Sequence, residues 1–434
     1  MSAQIPVVFS PAGQDACAFY RMWIPHLNIP FSDYYFTGWN TDGTPKRLDL
    51  NRVADKRIVI VQRQASIFNL KAIESMKQIG LKVVYDLDDN LWNLPQGNPA
   101  KKTFEQHQAG FSMCAAKADI LTVSTMGLKT AASVSLPNKE IIVVPNAIDF
   151  NLFKRKEIQR DDDLVVIGWG GSNTHLDDTR HVFDILPQVL DECPKAMMEI
   201  VGAPPKKEAT QSVRCLEVKR REETTKRGDK EVKQMVPYAL VVEDLKTKKR
   251  SEEPYVGFTI IKSVRKGKTS QPCSMPLKAE EADKLVGIVL NRQVLIDSTL
   301  AMHPRYRFKM WTPIREYANR FSSWSWDIAI APLEDYRFNK SKSNIKMLEA
   351  AAFQIPCLVS NIQPYFEFCS LGGEDLKWLL CHNIEEWKSK LICLINEPER
   401  RQFVGKKMYE AAKKYYDISV VKENWNYTFR KVLQ

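Results

Sequence analysis

The chain has 434 residues, with 63 lysines and arginines against 52 acids for a net charge of +11. Its 44% apolar and 26% charged residues exclude a disordered or fibrous chain, and its length predicts about two or three domains. No apolar run reaches the roughly 20 residues that span a bilayer, and Met1–Pro6 has neither the basic nor the apolar region of a signal peptide, so a cytoplasmic protein is expected.

Short β-branched runs open the chain: Pro6–Phe9, Arg57–Val61, Leu81–Tyr85, Ile120–Val123 and Ile141–Val144. Stretches of helical period lie between them, at about 66–79, 102–117 and 125–134. Fully apolar strands alternating with helices predict a parallel sheet covered on both faces, an α/β doubly wound domain over 1–150. The pattern restarts after a polar linker with Leu164–Trp169, Met197–Val201, Arg307–Trp311, Asp327–Ile330 and Pro356–Val359. Helices are expected at 177–192, 313–322, 342–354 and 384–396, which places a second Rossmann-like domain over 151–205 and 304–415. Residues 398–434 read as helical throughout, and 416–434 is expected to return to the N-terminal domain.

The stretch 206–303 is far too long for a βα connection. Its 21 basic and 14 acidic residues supply seven of the eleven net positive charges. Two strand-like runs, Tyr238–Val242 and Tyr255–Ile261, joined by Lys246–Arg250, and a helix-like stretch over Lys278–Leu300 predict an inserted α+β module. The nine cysteines include no Cys-x-x-Cys, and the 12-residue spacing of Cys357, Cys369, Cys381 and Cys393 fits no zinc signature, so free thiols in a reducing compartment are expected.

Four motifs carry candidate chemistry. After the first strand come Gly13 in a loop and Arg21 at a helix start, where Arg21 would meet a phosphate or an anionic acceptor, while Tyr20 and Trp23 also suit a helix core. Asp86-Leu87-Asp88-Asp89 ends a strand; these carboxylates suit a cation, a base or a helix cap. Gly170-Gly171-Ser172 forms the turn after the second domain's first strand, with His175 three residues on, where backbone amides can approach phosphate. Finally Asn339, Lys342, Ser343, Lys346 and Glu349 open a helix, whose free N–H groups and dipole suit a diphosphate.

The segment from Phe338 through Glu349 to Gln354-Ile355-Pro356-Cys357-Leu358-Val359-Ser360 resembles the donor site of GT4-like glycosyltransferases of the GT-B fold, in the divergent branch found in phages and bacteria. Gln354 replaces that family's usual glycine, and Ser341 stands where its first conserved acid belongs. The resemblance implies two doubly wound domains around a cleft, with the nucleotide-sugar donor on the second. It carries over Glu349 as a ribose contact; the family's diphosphate-holding Arg and Lys are absent, so Gly13, Arg21, Gly170, Gly171, Ser172, Asn339, Lys342, Ser343 and Lys346 are the expected donor-binding residues beside it. Asp88, Asp89 and His175 become the catalytic candidates, with retention of anomeric configuration and no metal or other cofactor required. The basic residues Lys248, Lys249, Arg250, Arg265, Lys266 and Lys268 would bind an acceptor such as double-stranded DNA bearing a hydroxymethylated base. A glycan or lipid-linked acceptor, or a related sugar-nucleotide epimerase, are the alternatives.

Overall fold

The computed structural model describes residues 5–36, 49–98, 101–154, 163–203, 206–227, 230–245, 248–254, 259–266, 269–276, 286, 289–297, 299–310 and 312–434. Six strands form the first sheet: β1 (Val7–Ser10), β2 (Ser32–Tyr34), β3 (Ile58–Gln62), β4 (Lys82–Leu87), β5 (Ile120–Val123) and β6 (Ile141–Val143). All pair parallel, in the order β2-β1-β3-β4-β5-β6. β1, β3 and β5 are buried along their whole length, which is why their sequences run apolar without alternation. Ser66 and Asn69 close a reciprocal capping box on the helix Ile67–Gln78, and Thr125 caps Met126–Ser135 through the Leu128 amide. Strand order reverses between β1 and β3, opening a crevice at their carboxyl ends.

The second sheet begins with β7 (Val165–Gly171) and β8 (Ala196–Gly202). The chain then leaves for a separate compact unit, Lys206–Ser298. Its strands β9 (Lys206–Arg227), β10 (Lys230–Asp244), β11 (Arg250–Pro254), β12 (Thr259–Lys266), β13 (Thr269–Pro276) and β14 (Val289–Asp297) pair antiparallel in the order β11-β10-β9-β14-β12-β13. The helix expected over Lys278–Leu300 is corrected: its described part is chiefly β14, where Val289, Val294 and Ile296 favour a pleated strand paired with β9. Residues 255–258 of the second predicted run lie outside the described residues, and β12 begins at Thr259.

The second sheet resumes with β15 (Tyr306–Lys309), β16 (Ile328–Ala331), β17 (Cys357–Ser360) and β18 (Leu380–Cys381), all parallel in the order β15-β8-β7-β16-β17-β18. Its reversal point lies between β7 and β16. Glycine is required at 168 because the Trp326 ring lies flat on β7; a Cβ there would sit 1.9 Å from the ring. That indole donates to the buried Glu199 carboxylate at 2.9 Å. Gln354 takes a left-handed backbone, φ 55°, which accounts for the glycine that the resembling family places there.

The last helix, Ile418–Leu433, packs on the first sheet: Trp425 meets Phe9 of β1 edge-to-face at 5.5 Å. Ile148 donates to the Tyr416 carbonyl and accepts from the Ile418 amide, each at 2.9 Å, which ties the chain after β6 to this helix. Among the described residues no helix is long and apolar enough to cross a membrane.

Candidate functional site

The carboxyl ends of β1, β3 and β4 carry the N-terminal part of the site. Gly13 is buried in the bend after β1. Two residues on, Asp15 accepts from the Ala18 amide at 2.9 Å and begins the helical segment that bears Tyr20 and Arg21. Arg21 is 1% exposed, and its guanidinium is engaged by protein groups. Its Nη2 and Nε bond both oxygens of Asp86, at 2.6 and 3.1 Å, and its Nη1 bonds the Val144 carbonyl and Asn146. Trp425 stacks beneath it at 5.4 Å. The donor-binding role expected of Arg21 is therefore corrected to a buried structural pair. Asp86, in register with Gln62 inside the sheet, needed a cation and took this one.

Asp88 and Asp89 lie past the strand end and meet different partners. Asp89 pairs with Lys342 at 3.5 Å. Asp88 is 7% exposed, and among the described residues its Oδ1 has no hydrogen-bond partner. Arg63 Nε stands 3.9 Å from that oxygen, beyond hydrogen-bond reach, and is itself committed to Asp15 at 2.7 Å. Burial raises the Asp88 carboxyl to about 6; Arg63 opposes the rise and Asp89 adds to it. The Cys17 thiol closes the group, within 4.8 Å of Asp88 and Asp89. Burial pushes that thiol well above its usual range, and it stays protonated. The three side chains have metal-ligand spacing, but Arg63 and Lys342 already bring positive charge to them.

The C-terminal part hangs from β7 and β16. Gly170 and Gly171 were expected in a turn; they are the last residues of β7, because pairing with β8 continues to Val201 and Gly202. Ser172 follows, with its hydroxyl 2.6 Å from that of Thr174. His175 Nδ1 lies 2.9 Å from Asp178, which fixes the proton on Nδ1 and leaves the Nε2 lone pair to react. The other Asp178 oxygen accepts from Asn339 at 2.6 Å and from the Glu334 amide at 3.2 Å. Burial lowers the His175 pKa; Asp178 opposes this, while Lys342 and Lys346 add to it, so the ring is neutral at pH 7. Asn339 is 1% exposed and serves as a brace for Asp178, not as a free ligand contact.

The helix Ile345–Ala352 follows a loop that docks on the first sheet's carboxyl ends. Asn90 donates to the Ser341 hydroxyl, Thr125 to the Ser341 carbonyl at 2.8 Å, and Asn146 to the Ser343 hydroxyl at 2.9 Å. The Ser341 hydroxyl also donates to the Arg337 carbonyl at 3.2 Å, a bond an ionised acid at this position could not make. Lys342 leans over the Phe338 ring at 4.5 Å. Glu349, expected to reach a ribose, is 3% exposed with Tyr20 on one oxygen at 2.6 Å and Tyr317 on the other at 3.1 Å. Lys346 stands 3.5 Å from it. Two phenols thus fill the places that a hydroxyl pair would take.

Of the basic insertion residues, Lys248 and Lys249 are exposed and Arg250 pairs with Glu243 at 3.5 Å. Arg265 and Lys266 lie on β12, and Lys268 lies outside the described residues. Sequence reasoning did not select Cys17, Gln62, Arg63, Asp178, Tyr20 or Tyr317 as site residues. One signal existed for two of them: Gln62-Arg63-Gln64 is a polar run at the carboxyl end of an apolar strand.

No protein-family model matches the sequence, and no curated protein matches it. Among solved structures, Anabaena HepE in complex with UDP-glucose is similar at TM-score 0.55 and 10% identity, over 98% of this chain and 100% of that one. Sucrose-phosphate synthase from Thermosynechococcus elongatus is similar at TM-score 0.55 and 9% identity, over 99% of both chains. S. aureus TarM, at TM-score 0.47 and 11% identity, is matched over 86% of this chain, which spans only 55% of TarM. The chain has the two-domain α/β architecture of the GT-B fold.

Proposed function

We propose that the protein is a glycosyltransferase that moves a sugar from a nucleotide-sugar donor to an acceptor hydroxyl with retention. The observation that carries the reading is the Lys342–Asp89 contact, which brings a cationic helix start against carboxylates at the end of β4. The diphosphate would lie on Lys342, Lys346 and the amides after Gly171, where negative charge grows as the anomeric C–O bond breaks. The new bond forms on the same face of the sugar, and Asp88 takes the acceptor's proton. His175 meets the donor through Nε2. No metal is required in this reading, since two lysines supply the leaving-group charge. HepE, of similar fold, was captured with UDP-glucose, which favours a nucleotide-sugar donor here as well.

For the acceptor we infer a hydroxymethylated base in duplex DNA, engaged through the insertion. The exposed Lys248 and Lys249 support it. Retention on duplex DNA should fall steeply with salt and vanish when 206–303 is deleted; binding that ignores salt moves the acceptor to a glycan or lipid-linked sugar. Transfer itself is tested by nucleoside diphosphate release coupled to mass gain on the acceptor. Release without any mass gain would favour an epimerase.

A further inference from the structure

Two buried polar atoms at the carboxyl ends of β3 and β4 lack partners among the described residues. Gln62 is fully buried, and its Nε2 donates to nothing, although its Oε1 accepts from the Ala12 amide at 3.4 Å. Asp88 Oδ1 accepts nothing. A buried unpaired donor or acceptor costs about 1–3 kcal/mol, which an entering group with the matching acceptor or donor would relieve.

The two positions meet through Arg63, which follows Gln62 at the end of β3 and brings its Nε to 3.9 Å from Asp88 Oδ1, just past the end of β4. Arg63 has a left-handed backbone at φ 45°, a strained conformation for a side chain of its size. That strain places its guanidinium against Asp15 and 3.9 Å from Asp88.

The charges there are already matched. Arg63 has Asp15, Lys342 has Asp89 and Arg21 has Asp86, while the Asp88 carboxyl takes a hydrogen bond from the Cys17 thiol and keeps an Oδ1 that accepts none among the described residues. An entering anion would meet that carboxylate; an uncharged hydroxyl would donate to it and accept from Gln62 in return.

We propose that Gln62, Arg63 and Asp88 form a subsite for a hydroxyl on an uncharged carrier, a hydroxymethyl group above all, with Gln62 and Asp88 as its paired contacts. This rests on the transferase reading and assigns its acceptor pocket, with Gln62 as a binding residue and Arg63 as the positioning residue for Asp88.

The test is saturation-transfer NMR on the full chain without donor. Two probes carry a hydroxymethyl group, methyl glucoside and 5-hydroxymethyl-2′-deoxycytidine; two carry a carboxylate in its place, methyl glucuronide and 5-carboxy-2′-deoxycytidine. At least one hydroxymethyl probe should receive saturation, and its carboxylate counterpart should receive none. The signal should fall about tenfold or more in Gln62→Met and in Asp88→Asn, each checked for an unchanged fold by circular dichroism. Which hydroxymethyl probe responds distinguishes a nucleobase from a sugar carrier. Equal transfer to the carboxylates, signals indifferent to both variants, or silence from both hydroxymethyl probes would overturn the subsite. Because no donor is present, failure here and failure to bind a nucleotide sugar are read separately.

Discussion

Asp88→Asn should stop transfer and stabilise the protein at the same time. Removing a positioned base costs about 10²- to 10⁴-fold in rate. The stability effect follows from the sign of the shift. The folded carboxyl titrates near 6 against an ordinary 3.8, so between those values the folded state holds the proton more tightly than the unfolded one. Stability contributed by the protonated form is therefore present below about pH 4 and lost as pH rises through 6. Above that the ionised carboxylate costs at most about 3 kcal/mol, which the amide avoids. Urea unfolding at pH 8 should show the variant more stable than the parent, with the gap closing by pH 4. Equal stability at both pH values would remove the case for a strained, functional carboxylate.

Arg21→Met acts the other way. It strands the fully buried Asp86, which among the described residues would keep Thr122 at 2.7 Å as its side-chain donor. Breaking such a pair from one side costs about 3–5 kcal/mol. The double variant Arg21→Met with Asp86→Leu should recover most of that loss, because no charge remains to be solvated. Donor-induced stabilisation should persist in the double variant. Its loss there would return Arg21 to the donor site, contrary to the geometry.

The strands of both parallel sheets were largely legible because burial imposes unbroken apolar runs, and nine such runs stand where strands form, while Arg307–Trp311, on the half-exposed edge strand β15, alternates polar and apolar residues. β2 escaped because Ser32-Asp33-Tyr34 is a polar edge segment with no hydrophobic pattern. β14 misled because its apolar residues also suit a helical period, and only pairing with β9 decides the matter. At the site the limit was different in kind. Asp86, Asp88 and Asp89 are nearly consecutive and look alike in sequence. One is neutralised by Arg21, one by Lys342, and one keeps an oxygen that accepts no hydrogen bond among the described residues, because each partner arrives from a distant part of the chain. Glu349 shows the same limit, since nothing in its motif announces Tyr20 and Tyr317.

The central claim is that this fold holds a nucleotide sugar on the helix start at Lys342. Thermal unfolding should be measured with UDP-, GDP-, ADP- and CMP-sugars, on the parent and on Lys342→Met. One nucleotide class should raise the melting temperature by several degrees, as about 2.7 kcal/mol at a hundredfold excess over Kd implies, and the variant should lose most of that rise. No stabilisation by any of the four, or a rise unchanged in Lys342→Met, would contradict the account.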